Sequence, residues 1–66
     1  MQVFEGKIVY CVELGHPLYG RRLKIESITD EREILFTEMQ TGKVVEITLE
    51  QTRESMPQHP DTTGSM

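Results

Sequence analysis

Sixty-six residues, 36% of them apolar, allow one domain with a shallow core and no second domain. The formal net charge of −4 disfavours general nucleic-acid binding, whose affinity comes from basic residues set against phosphates, although three of the seven cations, Arg21, Arg22 and Lys24, fall within four positions. The single cysteine, Cys11, excludes an intrachain disulfide, and no apolar run approaches the roughly 18 residues a membrane span needs.

From Val3 to Leu14 the chain is rich in β-branched and aromatic residues and predicts a long first strand. Ile8, Tyr10, Val12 and Leu14 share one face by the two-residue period, and Lys7, Val9, Cys11 and Glu13 the other. Gly6 marks the bend or bulge in so long a strand, and a split there would supply an additional strand. Residues 15–22, Gly-His-Pro-Leu-Tyr-Gly-Arg-Arg, form the longest internal loop, with two glycines bracketing a proline. Leu23 to Ile28 is the second strand; Ile28 is out of phase with Leu23 and Ile25, so either Glu26-Ser27 is a bulge or Ile28 faces the other way. Thr29-Asp30-Glu31-Arg32 suits a tight turn.

Glu33 to Met39 is the third strand, with Ile34 and Phe36 on one face and Leu35, Thr37 and Met39 on the other. Residues 40–43 form a second hairpin turn, with Gly42 free to take a positive φ. Lys43 to Leu49 alternates most cleanly, Val45, Ile47 and Leu49 against Val44, Glu46 and Thr48. Thr48-Leu49-Glu50-Gln51 then matches a capping box and predicts one or two helical turns before Pro57. Leu49 is the last strong core residue. Residues 57–66 hold too little apolar surface to offset their ordering entropy and read as a disordered tail after a domain over 1–56.

These elements predict a mostly β fold, a small curved antiparallel sheet or SH3-like barrel of four or five strands with a short C-terminal helical turn. The likeness to the SH3 barrel is one of architecture, resting on the long loop between the first two main strands, and carries no function. The alternative is a meander sheet that completes its core against a second copy.

Catalytic chemistry finds little footing. Cys11 and His16 are the one conceivable nucleophile and base, and five residues of extended chain separate them by roughly 16 Å. A cysteine central in a strand reads as a small hydrophobe. Cys11, His16 and His59 lack the spacing of a zinc site, so no metal and no cofactor is expected. Glu38 and Glu46 read as solvent-facing, and no Gly-rich phosphate loop is present. The N-terminal residues show no charged leader followed by an apolar stretch, so a cytoplasmic protein is expected.

The 15–22 loop is the segment most suited to recognition, because arginine and tyrosine dominate binding hot spots. Its candidate binding residues are His16, Leu18, Tyr19, Arg21 and Arg22, with Lys24 just beyond it. The plainer reading makes Leu18 and Tyr19 core cover and leaves Arg21 and Arg22 solvated. The sequence thus predicts a non-catalytic protein-interaction or assembly module. Apolar residues on both faces of the first strand suggest self-association into a dimer or larger homo-oligomer, through that loop and an exposed strand edge. Two alternatives stand: a small nucleic-acid-associated regulator using Tyr19, Arg21, Arg22 and Lys24, and an accessory subunit of an enzyme.

Overall fold

The computed structural model describes residues 1–57. The strands are β1 (Ile8–Cys11), β2 (Arg22–Ile28), β3 (Ile34–Glu38), β4 (Val44–Val45) and β5 (Thr52–Arg53), with one 3-10 turn (Leu49–Gln51) leading into β5. They form one antiparallel sheet in the order β4-β3-β2-β1-β5, which is not closed into a barrel. The fold is therefore the expected mostly β sheet with almost no helix. The expected disordered tail lies outside the described residues except for Pro57, which is exposed.

Local chemistry explains the joints. Glu26 is the extra residue where β2 bulges: Ile25 lies opposite Phe36 but Ser27 opposite Leu35. The bulge resets the alternation, so Ile28 packs against the same core as Leu23 and Ile25. The β3–β4 turn closes with Gly42 N–H donating to the Glu38 carbonyl (2.7 Å) at a glycine φ of +76°. At the 3-10 turn, Gln51 Oε1 accepts from the Thr48 N–H (3.0 Å) and from its hydroxyl (3.2 Å). That is the Gln-to-cap half of the predicted capping box.

Two predicted strands are shorter in the structure. β1 pairs over Ile8–Cys11 rather than Val3 to Leu14. At its start the chain reverses through Gly6 (φ +94°), where Lys7 N–H donates to the Phe4 carbonyl. Gly6 is thus the bend, but no strand precedes it, and the fifth strand is Thr52–Arg53 instead. Leu14, at 78% exposure, lies beyond the sheet. β4 is two residues long, because no partner strand continues beside it past the Phe36–Val45 and Thr37–Val44 pairs. Its alternation nonetheless persists without a ladder: Val45, Ile47 and Leu49 pack on the core while Val44, Glu46 and Thr48 are exposed.

The core is Val9, Cys11, Leu23, Ile25 and Phe36, all fully buried. Register explains it. Val9 faces Leu23, Leu23 faces Glu38, and Ile25 faces Phe36, so these residues share the inner face. Glu38 is therefore an inner-face residue at 3% exposure, correcting its solvent-facing reading, whereas Glu46 is exposed as expected. Thr52 is also fully buried, opposite Cys11, so the core extends past Leu49. Among the described residues no helix is long and apolar enough to cross a membrane.

Candidate functional site

The outer face of the sheet is built by the same register. Tyr10 lies opposite Arg53 on one side and Arg22 on the other. Met39 N–H donates to the Arg22 carbonyl (3.0 Å), which extends the row beyond β2. Arg53, Tyr10 and Arg22 thus lie side by side on β5, β1 and β2, with Met39 just past the end of β3 continuing the row. The neighbouring row, Ile8, Lys24, Thr37 and Val44, shares that face. An open groove of about 620 Å³ lies at the end of the first row, lined by Tyr10, Gly20, Arg21, Arg22, Glu38, Met39 and Gln40.

The groove is cationic. Arg21 and Arg22 of the lining, and Arg53 farther along the row outside it, are exposed, and none belongs to either ion pair of the described residues, Lys7–Glu54 (2.5 Å) and Lys24–Glu26 (3.5 Å). Arg21 Nη1 donates to Gln40 Oε1, which ties the loop to the β3–β4 turn. Arg53 Nη1 donates to the carbonyls of Thr52 (2.7 Å) and Glu50 (3.1 Å). The carboxylate in the lining, Glu38, hydrogen-bonds its own turn and also feels the Arg21 charge. Its oxygens accept the N–H groups of Gln40 (3.1 Å) and Thr41 (2.8 Å). Removal from water pushes the Glu38 carboxyl up, but the Thr41 side chain, the two turn N–H groups and the Arg21 charge outweigh it and hold it below the ordinary range.

The structure separates the predicted site residues. Arg21 and Arg22 line the groove. Leu18 packs against the core, as the plainer reading has it. His16 is half-buried, and its Nδ1 accepts the Leu18 N–H (3.0 Å), so it shapes the loop turn. Tyr19 is 38% exposed and does not line the groove. Lys24 sits in the second row with its charge next to Glu26. Thr37 hydroxyl donation (2.9 Å) and then that lysine hold the Glu26 carboxyl below the ordinary range.

Sequence reading missed Tyr10, Met39 and Gln40. They come from β1 and from the turn that follows β3, and only the pairing of β1, β2 and β3 brings them to Arg21 and Arg22. The sole sequence signal was Tyr10 opposite a buried-type Val9 and Cys11. Cys11 itself is fully buried, with its N–H donating to Arg21 and its carbonyl accepting from Gly20. Among the described residues no three His, Cys, Asp or Glu side chains are grouped to hold a metal ion.

Comparison of the chain with family models, with curated proteins and with solved structures found no match.

Proposed function

We propose that this protein is a non-catalytic protein-interaction module whose outer-face groove takes an acidic segment of a partner protein. The observation that carries this reading is the cross-strand row Arg53, Tyr10, Arg22 and Met39. In a chain of net charge −4, it concentrates cations free of carboxylate partners around an aromatic and a 42%-exposed methionine. Arginine and tyrosine give such a surface its anchors, and Met39 an adaptable apolar contact. Acidic groups on the partner complement the guanidinium charges. The edge strands contribute less to this reading, since β4 and β5 are two residues each and offer short templates for strand addition. The long loop between β1 and β2 and the 3-10 turn before β5 support an SH3-like reading of the architecture.

A second reading, single-stranded nucleic acid, uses the same cations with Tyr10 in place of Tyr19 as the stacking aromatic. One aromatic in the row makes it a poorer platform for successive bases. The two readings part in one titration. Backbone amide shifts are followed while a synthetic Asp/Glu-rich peptide bearing one leucine, and separately a short oligothymidine, are added at low salt. The proposal expects the peptide to move Tyr10, Arg21, Arg22 and Met39, and Arg22→Ala to weaken it about tenfold, as a hot-spot arginine does. Tyr19→Ala is expected to leave it unchanged. Shifts with oligothymidine alone would replace this reading by the second, and no shifts with either would end both.

A further inference from the structure

The two ends of the β2–β3 hairpin carry opposite charge. The groove end holds Arg21 and Arg22 with the one carboxylate Glu38, and Lys43 is exposed in the adjoining turn. The other end is the turn joining β2 to β3, where Asp30, Glu31 and Glu33 are all exposed around a single cation, Arg32. This turn is a defined shape. Thr29 N–H donates to the Glu33 carbonyl (2.9 Å), Arg32 N–H to the Thr29 carbonyl (2.9 Å), and Glu33 N–H to the Thr29 hydroxyl (3.0 Å). Glu5 adds a carboxylate there, its Oε2 accepting the Ile28 N–H (3.1 Å).

The acidic turn cannot neutralise the groove of its own chain. The strand between them, β2, has seven residues, and at about 3.3 Å per residue it holds the ends some 20 Å apart. That exceeds the ~10 Å over which charges act in 0.1 M salt. Glu13, in the loop beyond β1, is an acid of the groove end but does not line the groove.

We infer that the acidic segment the groove receives is the β2–β3 turn of a second copy of this chain. The inference rests on the groove reading above and names its partner. Arg21 and Arg22 of one copy then face Asp30, Glu31 and Glu33 of the next. The contact joins two different surfaces, so a pair of copies keeps one groove and one turn free for further neighbours. Contacts between exposed charges are weak one by one, so the association is salt-sensitive.

Light scattering on a sizing column tests this with the whole chain at low salt. The mass is expected to rise above 7.6 kDa with concentration, and to return to it near 1 M salt, where charges act over only ~3 Å. A groove variant, Arg21→Glu with Arg22→Glu, and a turn variant, Asp30→Lys with Glu31→Lys, should each stay monomeric alone. Mixed, the intact turn of the first meets the intact groove of the second, and the reversed groove meets the reversed turn, so association in equal proportions is expected. That result also shows that both variants are folded. A monomeric wild type at every concentration, association that survives either reversal, or a mixture that stays monomeric with both variants folded by their amide spectra would overturn the inference. The turn variant separates this failure from that of the groove reading. If it still binds the acidic peptide, the groove stands and only the partner is wrong; if it does not, both fall.

Discussion

Glu38 shows how one side chain ties a turn to the core. It lies on the inner face beside Leu23, and its two oxygens replace water with the N–H groups of Gln40 and Thr41. Its carboxyl is held low in the folded protein, so folding favours the charged form. The stability this adds is full above the ordinary glutamate range and is lost as pH falls through the lowered folded value. Urea midpoints measured against pH should therefore fall on acidification in that window. Glu38→Gln should lower the midpoint at neutral pH and flatten this acid limb, because one amide oxygen replaces two acceptors and an NH2 meets a donor. Glu26 and Glu54 are also held low, by Thr37 with Lys24 and by Lys7, so the limb is flattened rather than abolished. Arg32 is the opposite case, a residue at odds with its backbone. Its φ of 67° is left-handed, which costs a non-glycine residue about 1–2 kcal/mol. Arg32→Gly removes that cost but loosens the unfolded chain by about 0.4–1 kcal/mol. A net gain of about 0.5–1 kcal/mol is expected, read as a melting point several degrees higher.

At the scale of elements, β5 is a short strand held by a buried hydroxyl. Thr52 donates its side-chain O–H to the Leu49 carbonyl (2.7 Å) while its backbone pairs opposite Cys11. Thr52→Val keeps the shape and deletes that bond, at a cost of about 1 kcal/mol. The loss should be local as well as global. The Val12 N–H, which donates to the Gln51 carbonyl (2.8 Å), is expected to exchange with solvent faster, while the Ile25 N–H, bonded to Lys7, slows or holds relative to it. Equal acceleration at both sites would show that β5 does not open separately. What the sequence made legible here were features written in consecutive residues: the reversal at Gly6, the Glu26 bulge, the turn at Gly42, and the Thr48–Gln51 cap. What it hid depends on distant pairing. β4 stops at Val45 because of where β3 lies, which no alternation reveals. Glu38 continues the Ile34–Phe36 period onto the inner face, yet its charge argued for solvent. The groove divides the same way: Arg21 and Arg22 are adjacent in sequence, but Tyr10 and Met39 join them only through the β1–β2–β3 register.

The whole molecule rests on few side chains. Among the described residues five apolar side chains are fully buried, and the half-buried Val3, Leu18, Ile28, Ile34, Val45, Ile47 and Leu49 pack around them. At about 0.05–0.15 kcal/mol per residue, a domain of this size has roughly 3–9 kcal/mol of stability. Phe36 is the largest fully buried side chain and belongs to the central hairpin, facing Ile25 on β2 and Val45 on β4. Phe36→Ala removes about 3–5 kcal/mol, comparable to the whole margin. Circular dichroism of this variant should show a largely unfolded chain at room temperature. Phe36→Leu keeps most of the volume and costs about 1–1.5 kcal/mol, so it should fold and melt lower. This pair also tests how independent the groove is of the core beneath it. Arg22 and Met39 lie on the opposite face of β2 and β3 from Phe36, so folded Phe36→Leu should bind the acidic peptide as the wild type does. Peptide binding lost in a folded Phe36→Leu chain would mean that the outer face needs an inner face packed to full density, and that the groove is shaped by the core rather than by register alone.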